Sequence, residues 1–261
     1  MKRLQKTTVV LLMALLAWGS AQAQDKPHTH ALRKQDIASD YALFYSKPNL
    51  YRLGLAMGLG AVSAHTIDED VSTHYQKHQR SQTTDDWSKT AKLFGEWTYL
   101  LPLSVAATYL DTSGDLGMGE WGNRTFRALV VGAPAVLTAQ VLTGGSRPSE
   151  NRAHGADWRP FKDNNGVSGH AFVGAIPFLT LAEMHQDQPW IYYTAMAASL
   201  ATPLSRLNDD KHYLSQIVLG WYFAKQATST LSGSRGPAAQ SFFSPLIDRN
   251  SVGVMYTHTL R

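Results

Sequence analysis

The chain has 261 residues, with 24 Lys and Arg, 20 Asp and Glu, and no Cys. The absence of Cys excludes a disulfide framework and a lipobox. Three of the basic residues and none of the acidic ones lie in the first 23 positions, which leaves 21 basic against 20 acidic residues. This balance gives no global case for nucleic-acid binding, so any positive field must be local.

The N-terminal segment is predicted to be a secretory signal peptide covering residues 1–23. Lys2, Arg3 and Lys6 form a positive start, and the apolar run VVLLMALLAW follows. A run of about ten residues is too short to span a bilayer. Ala21-Gln22-Ala23 fits a small-x-small cleavage site, so cleavage after Ala23 and export to the periplasm are expected.

The remaining chain is predicted to be one all-α domain. Residues 24–48 are polar and are predicted to be a leader without a fixed fold. Residues 49–232 contain apolar stretches of 16 to 18 residues without two-residue alternation, which predicts a bundle of six to eight helices. Residues 233–261 form a C-terminal tail, where a turn at Asp248-Arg249-Asn250 and alternation from Val252 to Leu260 indicate a short β-hairpin packed on the bundle.

The charge spacing favours a soluble or peripheral protein over an integral one. The spans Arg127–Arg147 and Asp187–Arg206 enclose 19 and 18 uncharged residues, but Gly, Pro, Gln, Thr and Ser dilute both. His170–Glu183 and His212–Lys225 each enclose 12 uncharged residues. Helices of that length cannot cross about 30 Å of hydrocarbon at 1.5 Å per residue.

Three separated segments carry groups suited to phosphate chemistry. The first, QVLTGGSRPSE, has Arg147 after an apolar helix, and the second, VSGH, opens a helix with Ser168 as its N-cap. The third, SRLNDDKHYLSQ, contains Arg206 and His212. Arg side chains bind phosphate oxygens in bidentate fashion, and free N–H groups at a helix start bind anions. Of two histidines, one can attack phosphorus while the other protonates the leaving oxygen, without a metal.

In order and spacing, these segments resemble the signature of the type 2 phosphatidic acid phosphatase superfamily, which also includes bacterial acid phosphatases and vanadium haloperoxidases. Its pattern is K-x6-R-P, P-S-G-H and S-R-x5-H-x3-D. The resemblance covers about residues 100–230 and implies a helical bundle. It also implies that His212 is the nucleophile of a phosphohistidine pathway and His170 the general acid. The phosphate-binding groups that it implies are Arg147, Arg206, Ser168 and Gly169.

Three positions depart from the pattern. Val167 replaces Pro, Gln140 replaces the phosphate-binding Lys, and Gln216 replaces the Asp that orients the nucleophile. Gln140 can still donate a neutral hydrogen bond to phosphate. Gln216 is four residues after His212, so on a helix its carbonyl can accept Nδ1–H and leave Nε2 free. An amide raises the pKa of a partner histidine far less than a carboxylate does.

Other polar residues near these segments have simpler interpretations. Asp209 and Asp210 precede the helix of His212 and are predicted to favour its N-terminus electrostatically, with Asp210 as a less favoured substitute for the missing carboxylate. His74 and His78 are one turn apart, but no acidic partner stands at metal spacing, so no metal site is predicted.

The expected function is an exported, metal-independent phosphatase without a cofactor. Its predicted partner is a phosphate-bearing substrate, a phosphomonoester or pyrophosphate, with a lipid headgroup favoured and peripheral membrane contact. Two alternatives stay open: a vanadium-dependent haloperoxidase on the same scaffold, and a degenerate, non-catalytic binder of phosphate or lipid.

Overall fold

The computed structural model describes residues 30–111, 117–150, 155–233, 241–248 and 251–258. Within these ranges the helices are α1 Lys34–Phe44, α2 Lys47–Thr66, α3 Asp68–His78, α4 Gln82–Ala91, α5 Trp97–Leu110, α6 Met118–Thr143, α7 Gly169–Met184, α8 Pro189–Ala198, α9 Ala201–Asn208 and α10 Leu214–Gly233. A 3-10 turn, Lys92–Gly95, lies between α4 and α5. The predicted all-α bundle is confirmed.

The core of the bundle lies where α6, α7 and α10 meet. Its buried side chains include Phe172, Ile176 and Phe223. Close approach of the helices depends on small residues: a Cβ on Gly220 would lie 2.3 Å from the carbonyl oxygen of Ser168. Gly220 therefore lets α10 pack directly against the start of α7, where two of the predicted site segments meet.

The leader predicted for residues 24–48 is wrong from Lys34 onward, because α1 is part of the bundle. Phe44 is fully buried, and so is the Asp40 carboxylate, which accepts hydrogen bonds of 2.6 and 2.8 Å from Arg127 on α6. The polar composition concealed this helix, since its buried polar residue is satisfied by an ion pair that a one-dimensional pattern does not reveal.

The helix count exceeds the predicted six to eight for two further reasons. The polar stretch 68–91 forms two helices, α3 and α4, and Ser81 opens α4 with a capping box. The apolar stretch 190–205 is divided at Ser199 between α8 and α9. The Ser199 hydroxyl donates to the Met196 carbonyl and accepts from Trp221 Nε1, which fixes the break.

The C-terminal segment has paired strands, β1 Ser241–Asp248 and β2 Ser251–His258. They are antiparallel, with Ser241 opposite His258 and Asp248 opposite Ser251. The connecting residues 249–250 lie outside the described ranges, as do the signal segment 1–23 and residues 24–29. Packing of the hairpin on the bundle stays a prediction.

Helix α6 is, within the described ranges, the one helix long and apolar enough to cross a membrane by length and composition. About 39% of its most apolar window is buried inside the bundle. Leu137, Val141 and Leu142 are exposed on its C-terminal half. Gly144, in a left-handed conformation at φ 59°, ends the helix. The C-terminal half therefore stops within the first predicted site segment, which contains Arg147.

Candidate active site

The three sequence segments converge at the N-terminal end of α7. The Ser168 hydroxyl caps this helix by accepting a hydrogen bond of 3.3 Å from the Ala171 N–H. The backbone N–H groups of Lys211 and His212 donate to the Arg206 carbonyl at 3.0 and 3.3 Å, which closes the turn between α9 and α10. This turn places His212 just before α10 instead of on it, and next to Arg206.

The His212 ring is buried and has a fixed orientation. Its Nδ1 lies 2.9 Å from Gln216 Oε1, which also accepts the Tyr213 N–H at 3.2 Å. Since an amide oxygen can only accept, Nδ1 carries the proton and Nε2 holds the lone pair. Within the described part of the chain, Nε2 has no hydrogen-bond partner.

Gln216 contacts all three segments through separate atoms. Its side-chain Oε1 holds His212 in the third segment, and its Nε2 donates to the Ser146 carbonyl in the first at 2.9 Å. Its own backbone carbonyl accepts the Ser168 N–H of the second segment at 2.9 Å. The side chain is fully buried. The donor bond to Ser146 determines which end of the amide faces His212.

Burial lowers the pKa of His212 to about 3, despite an opposing contribution from the Gln216 hydrogen bond. The positive charges of Arg147 and Arg206 lower it further. His212 is therefore neutral over the ordinary pH range, which its predicted role as a nucleophile requires.

Each of the two arginines is positioned by acceptors at the site. Arg147 Nε donates to Asn165 Oδ1 at 2.9 Å, and one terminal nitrogen lies 3.1 Å from Glu150. Arg206 is buried and forms an ion pair with Asp209. The carboxylate of Asp209, which was predicted to favour the next helix start, pairs with Arg206, three residues earlier in the chain.

The Asp209 carboxylate is itself held by Ser88 on α4, whose hydroxyl donates at 2.6 Å. Helix α4 thus supports the Arg206 pair from a part of the chain outside the three segments. Spacing alone could have revealed the i, i+3 pair with Arg206, but not Ser88.

Gln140 lies beside the site and braces the loop before α7. Its Nε2 donates to the Val167 carbonyl at 2.8 Å, which uses one of its two N–H groups. A Cβ on Gly169 would be 3.3 Å from the same nitrogen, so the amide lies against the helix start. The predicted phosphate contact would need the second N–H group.

Glu96 is a site residue that the sequence pattern did not identify. Its Oε1 lies 3.3 Å from Nε2 of His170. Burial lowers the pKa of His170, Arg206 lowers it further, and the Glu96 carboxylate opposes both effects. The FGEW stretch carries no motif, so sequence offered no signal for this contact.

A largely apolar cavity of about 500 Å³ opens beside the same residues. Its polar end is formed by Gln140, Gly169 and His170, and its apolar walls come from α5, α6 and α7. Trp97 and Leu137, which both line this cavity, are 62% and 61% exposed. The cavity can therefore accept an apolar chain attached to a group bound at the site.

Across the described ranges, no cluster of three or more His, Asp or Glu side chains could hold a metal ion. The His74 and His78 rings lie 4.9 Å apart between centroids and are tilted by 43° to each other.

The helical bundle is similar in fold to a PAP2-type phosphatase of known structure, PAP2 being the type 2 phosphatidic acid phosphatase superfamily. A similar solved chain is the transmembrane PAP2-type phosphatidylglycerolphosphate phosphatase from Bacillus subtilis. The two share a TM-score of 0.54 and 16% sequence identity, over 76% of this chain and 96% of that one. This likeness shows the fold. Protein-family models and curated proteins give no match.

Proposed function

We propose that the protein is an exported, metal-independent phosphatase that works through a phosphohistidine on His212. The observation that carries this is the fixed tautomer of His212. Gln216 holds Nδ1–H, and Nε2 is left without a partner in the described chain, close to two arginines and the N-terminus of α7. A non-catalytic phosphate binder would have no need for an oriented, neutral imidazole.

The reaction would proceed in two displacements. Arg147, Arg206, the Ser168 hydroxyl and the Gly169 N–H group would bind the phosphate oxygens. The Nε2 lone pair of His212 attacks phosphorus, the bond to the leaving oxygen breaks, and His170 donates a proton to that oxygen. Water then attacks the phosphohistidine and gives a proton to His170 as the P–N bond breaks.

The substrate we propose is a phosphate monoester or pyrophosphate of a lipid. The apolar cavity is lined by His170, beside which the leaving group would lie, and by apolar residues of α5, α6 and α7. Its volume of about 500 Å³ suits part of an acyl chain. The structurally similar bacterial protein is a phosphatase of a phospholipid phosphate, which supports the same class here.

We further propose that the exported protein contacts the membrane peripherally. Trp97 and Leu137 line the cavity and are exposed to solvent. Val141, one turn after Leu137 on α6, is exposed as well. Aromatic and aliphatic side chains at such a position favour the interface of a bilayer. A lipid could then enter the cavity without leaving the membrane surface.

Phosphate release by the purified protein tests the chemistry. Activity should persist in EDTA. His212→Ala should abolish both turnover and the acid-labile phosphoenzyme. His74→Ala, a change at an exposed histidine on α3, should retain both. Full activity of His212→Ala would refute the mechanism. Halide oxidation with added vanadate would favour a haloperoxidase, and phosphate binding without turnover would favour the degenerate binder.

A cavity variant tests the substrate class. Ala133→Trp would fill the cavity from α6 at a position away from the phosphate-binding groups. We expect turnover of phosphatidic acid in mixed vesicles to fall at least tenfold, with hydrolysis of p-nitrophenyl phosphate changed less than about twofold. Equal losses on both substrates would contradict a lipid-binding cavity.

A further inference from the structure

Glu96 is held against the start of α7 by the backbone on which it stands. It follows Gly95, the last residue of the 3-10 turn, and precedes α5. A Cβ on Gly95 would lie 2.8 Å from the His170 carbonyl oxygen, so the two segments touch through their main chains. The Glu96 side chain makes no capping bond to α5, which leaves its carboxylate for the His170 ring at 3.3 Å.

The His170 ring has cationic neighbours that work against its proposed task. A general acid must carry a proton before the leaving oxygen departs. Partial burial disfavours a charged imidazole at this position, and the positive charges of Arg206 and Arg147 disfavour it further. Glu96 is the group whose negative charge acts in the opposite direction.

We propose that Glu96 is a positioning residue for the general acid. Its carboxylate accepts Nε2–H of His170, fixes the ring, and stabilises the doubly protonated form. The proton transferred to the leaving oxygen is then the one on Nδ1, while the Nε2–H group of His170 stays hydrogen-bonded to Glu96. In the second step, Nδ1 recovers a proton from the attacking water. This inference rests on the proposed phosphatase function.

The step can be isolated by changing the leaving group. Glu96→Gln keeps an acceptor oxygen and removes the charge. We expect the alkaline limb of kcat/KM to move to lower pH by up to about one unit, since the carboxylate is partly exposed. Above that limb, hydrolysis of hexyl phosphate should fall about tenfold. Hydrolysis of p-nitrophenyl phosphate, whose leaving group needs little protonation, should fall less than about threefold.

Glu150→Gln is the matched control. It removes one carboxylate of similar exposure that pairs with Arg147 and does not contact His170. This variant should change KM for phosphate esters but should not move the alkaline limb of kcat/KM. Hydrolysis of hexyl phosphate and of p-nitrophenyl phosphate should change by the same factor. A limb that moves as far in Glu150→Gln as in Glu96→Gln would overturn the proposal.

Titration of the His170 ring by NMR separates this inference from the proposed function. A lower His170 pKa in Glu96→Gln than in wild type supports the inference whether or not the protein turns over substrate, and an unchanged pKa overturns it. Failure of the wild-type protein to release phosphate from any ester would refute the proposed function alone.

Discussion

The amide of Gln216 gives the sharpest test of the site, through the isosteric change Gln216→Glu. The wild-type side chain is fully buried, accepts from two donors and donates to one acceptor, the Ser146 carbonyl. An ionised carboxylate of the same size keeps both accepting contacts with His212 and Tyr213. It loses the donor, and it places a negative charge against the Ser146 carbonyl oxygen.

The loss in free energy of unfolding can be estimated from this lost hydrogen-bond donor. A buried polar group left without its partner costs about 1–3 kcal/mol. For a chain of this size, each kcal/mol lowers Tm by about 2–4 °C, so a loss of about 2–12 °C at pH 7 is expected. Burial raises the folded-state pKa of the new carboxyl above its unfolded value of about 4.3. Stability is therefore retained in acid, where the protonated carboxyl can donate to Ser146, and is lost as pH rises through the folded pKa.

The same substitution should also change the pH dependence of kcat/KM. The new carboxylate raises the pKa of His212 from about 3, and since the nucleophile must be neutral, the acidic limb of kcat/KM moves to higher pH. Calorimetry at pH 5 and pH 7 and a pH–rate profile measure both effects. Gln76→Glu is the control: its amide also donates to a backbone carbonyl, at 2.8 Å, but is half-buried. It should lose less than about 1 kcal/mol. A Gln216→Glu protein with wild-type Tm at pH 7 and an unmoved acidic limb would refute the assigned role of the amide.

Three further outcomes are expected. Since the pKa of His212 is about 3 and that of His170 is lowered below 6.5, kcat/KM should be highest on the acidic side of pH 6.5, and an optimum above pH 8 would contradict this assignment. Asp209→Asn leaves the buried Arg206 without its carboxylate, so Tm should fall and inorganic phosphate should restore more of it than in wild type; equal gains in calorimetry would argue against a phosphate site at Arg206. Asp40→Ala unpairs Arg127 and should lower the free energy of unfolding by about 3–5 kcal/mol in urea titrations, with kcat/KM unchanged at 25 °C; a loss under 1 kcal/mol would mean that α1 does not stabilise the bundle.

The fold was predictable because apolar stretches of helical length leave few other arrangements, and the order of the three segments indicated a common site. The segment 34–44 was missed because its buried residue, Asp40, is polar, and its ion-pair partner lies 87 residues away. For the same reason Glu96 and Ser88 could not be anticipated. Each contacts the site through packing of a distant turn or helix, and neither stands in a periodic or spaced pattern.

Gln140 and Gln216 stand where the pattern that this chain resembles has Lys and Asp, and the two differences are best understood as one coupled exchange. Replacing Lys by Gln140 removes a positive charge, and replacing Asp by Gln216 removes a negative one, so the net charge of the site is preserved. Each amide nitrogen donates to a main-chain carbonyl next to a proposed phosphate ligand: Gln140 to Val167, before Ser168, and Gln216 to Ser146, before Arg147. A carboxylate at 216 could make no such bond. Fixed dipoles thus brace the two proposed phosphate-binding loops in place of charges, which is the arrangement expected if the proposed site is functional.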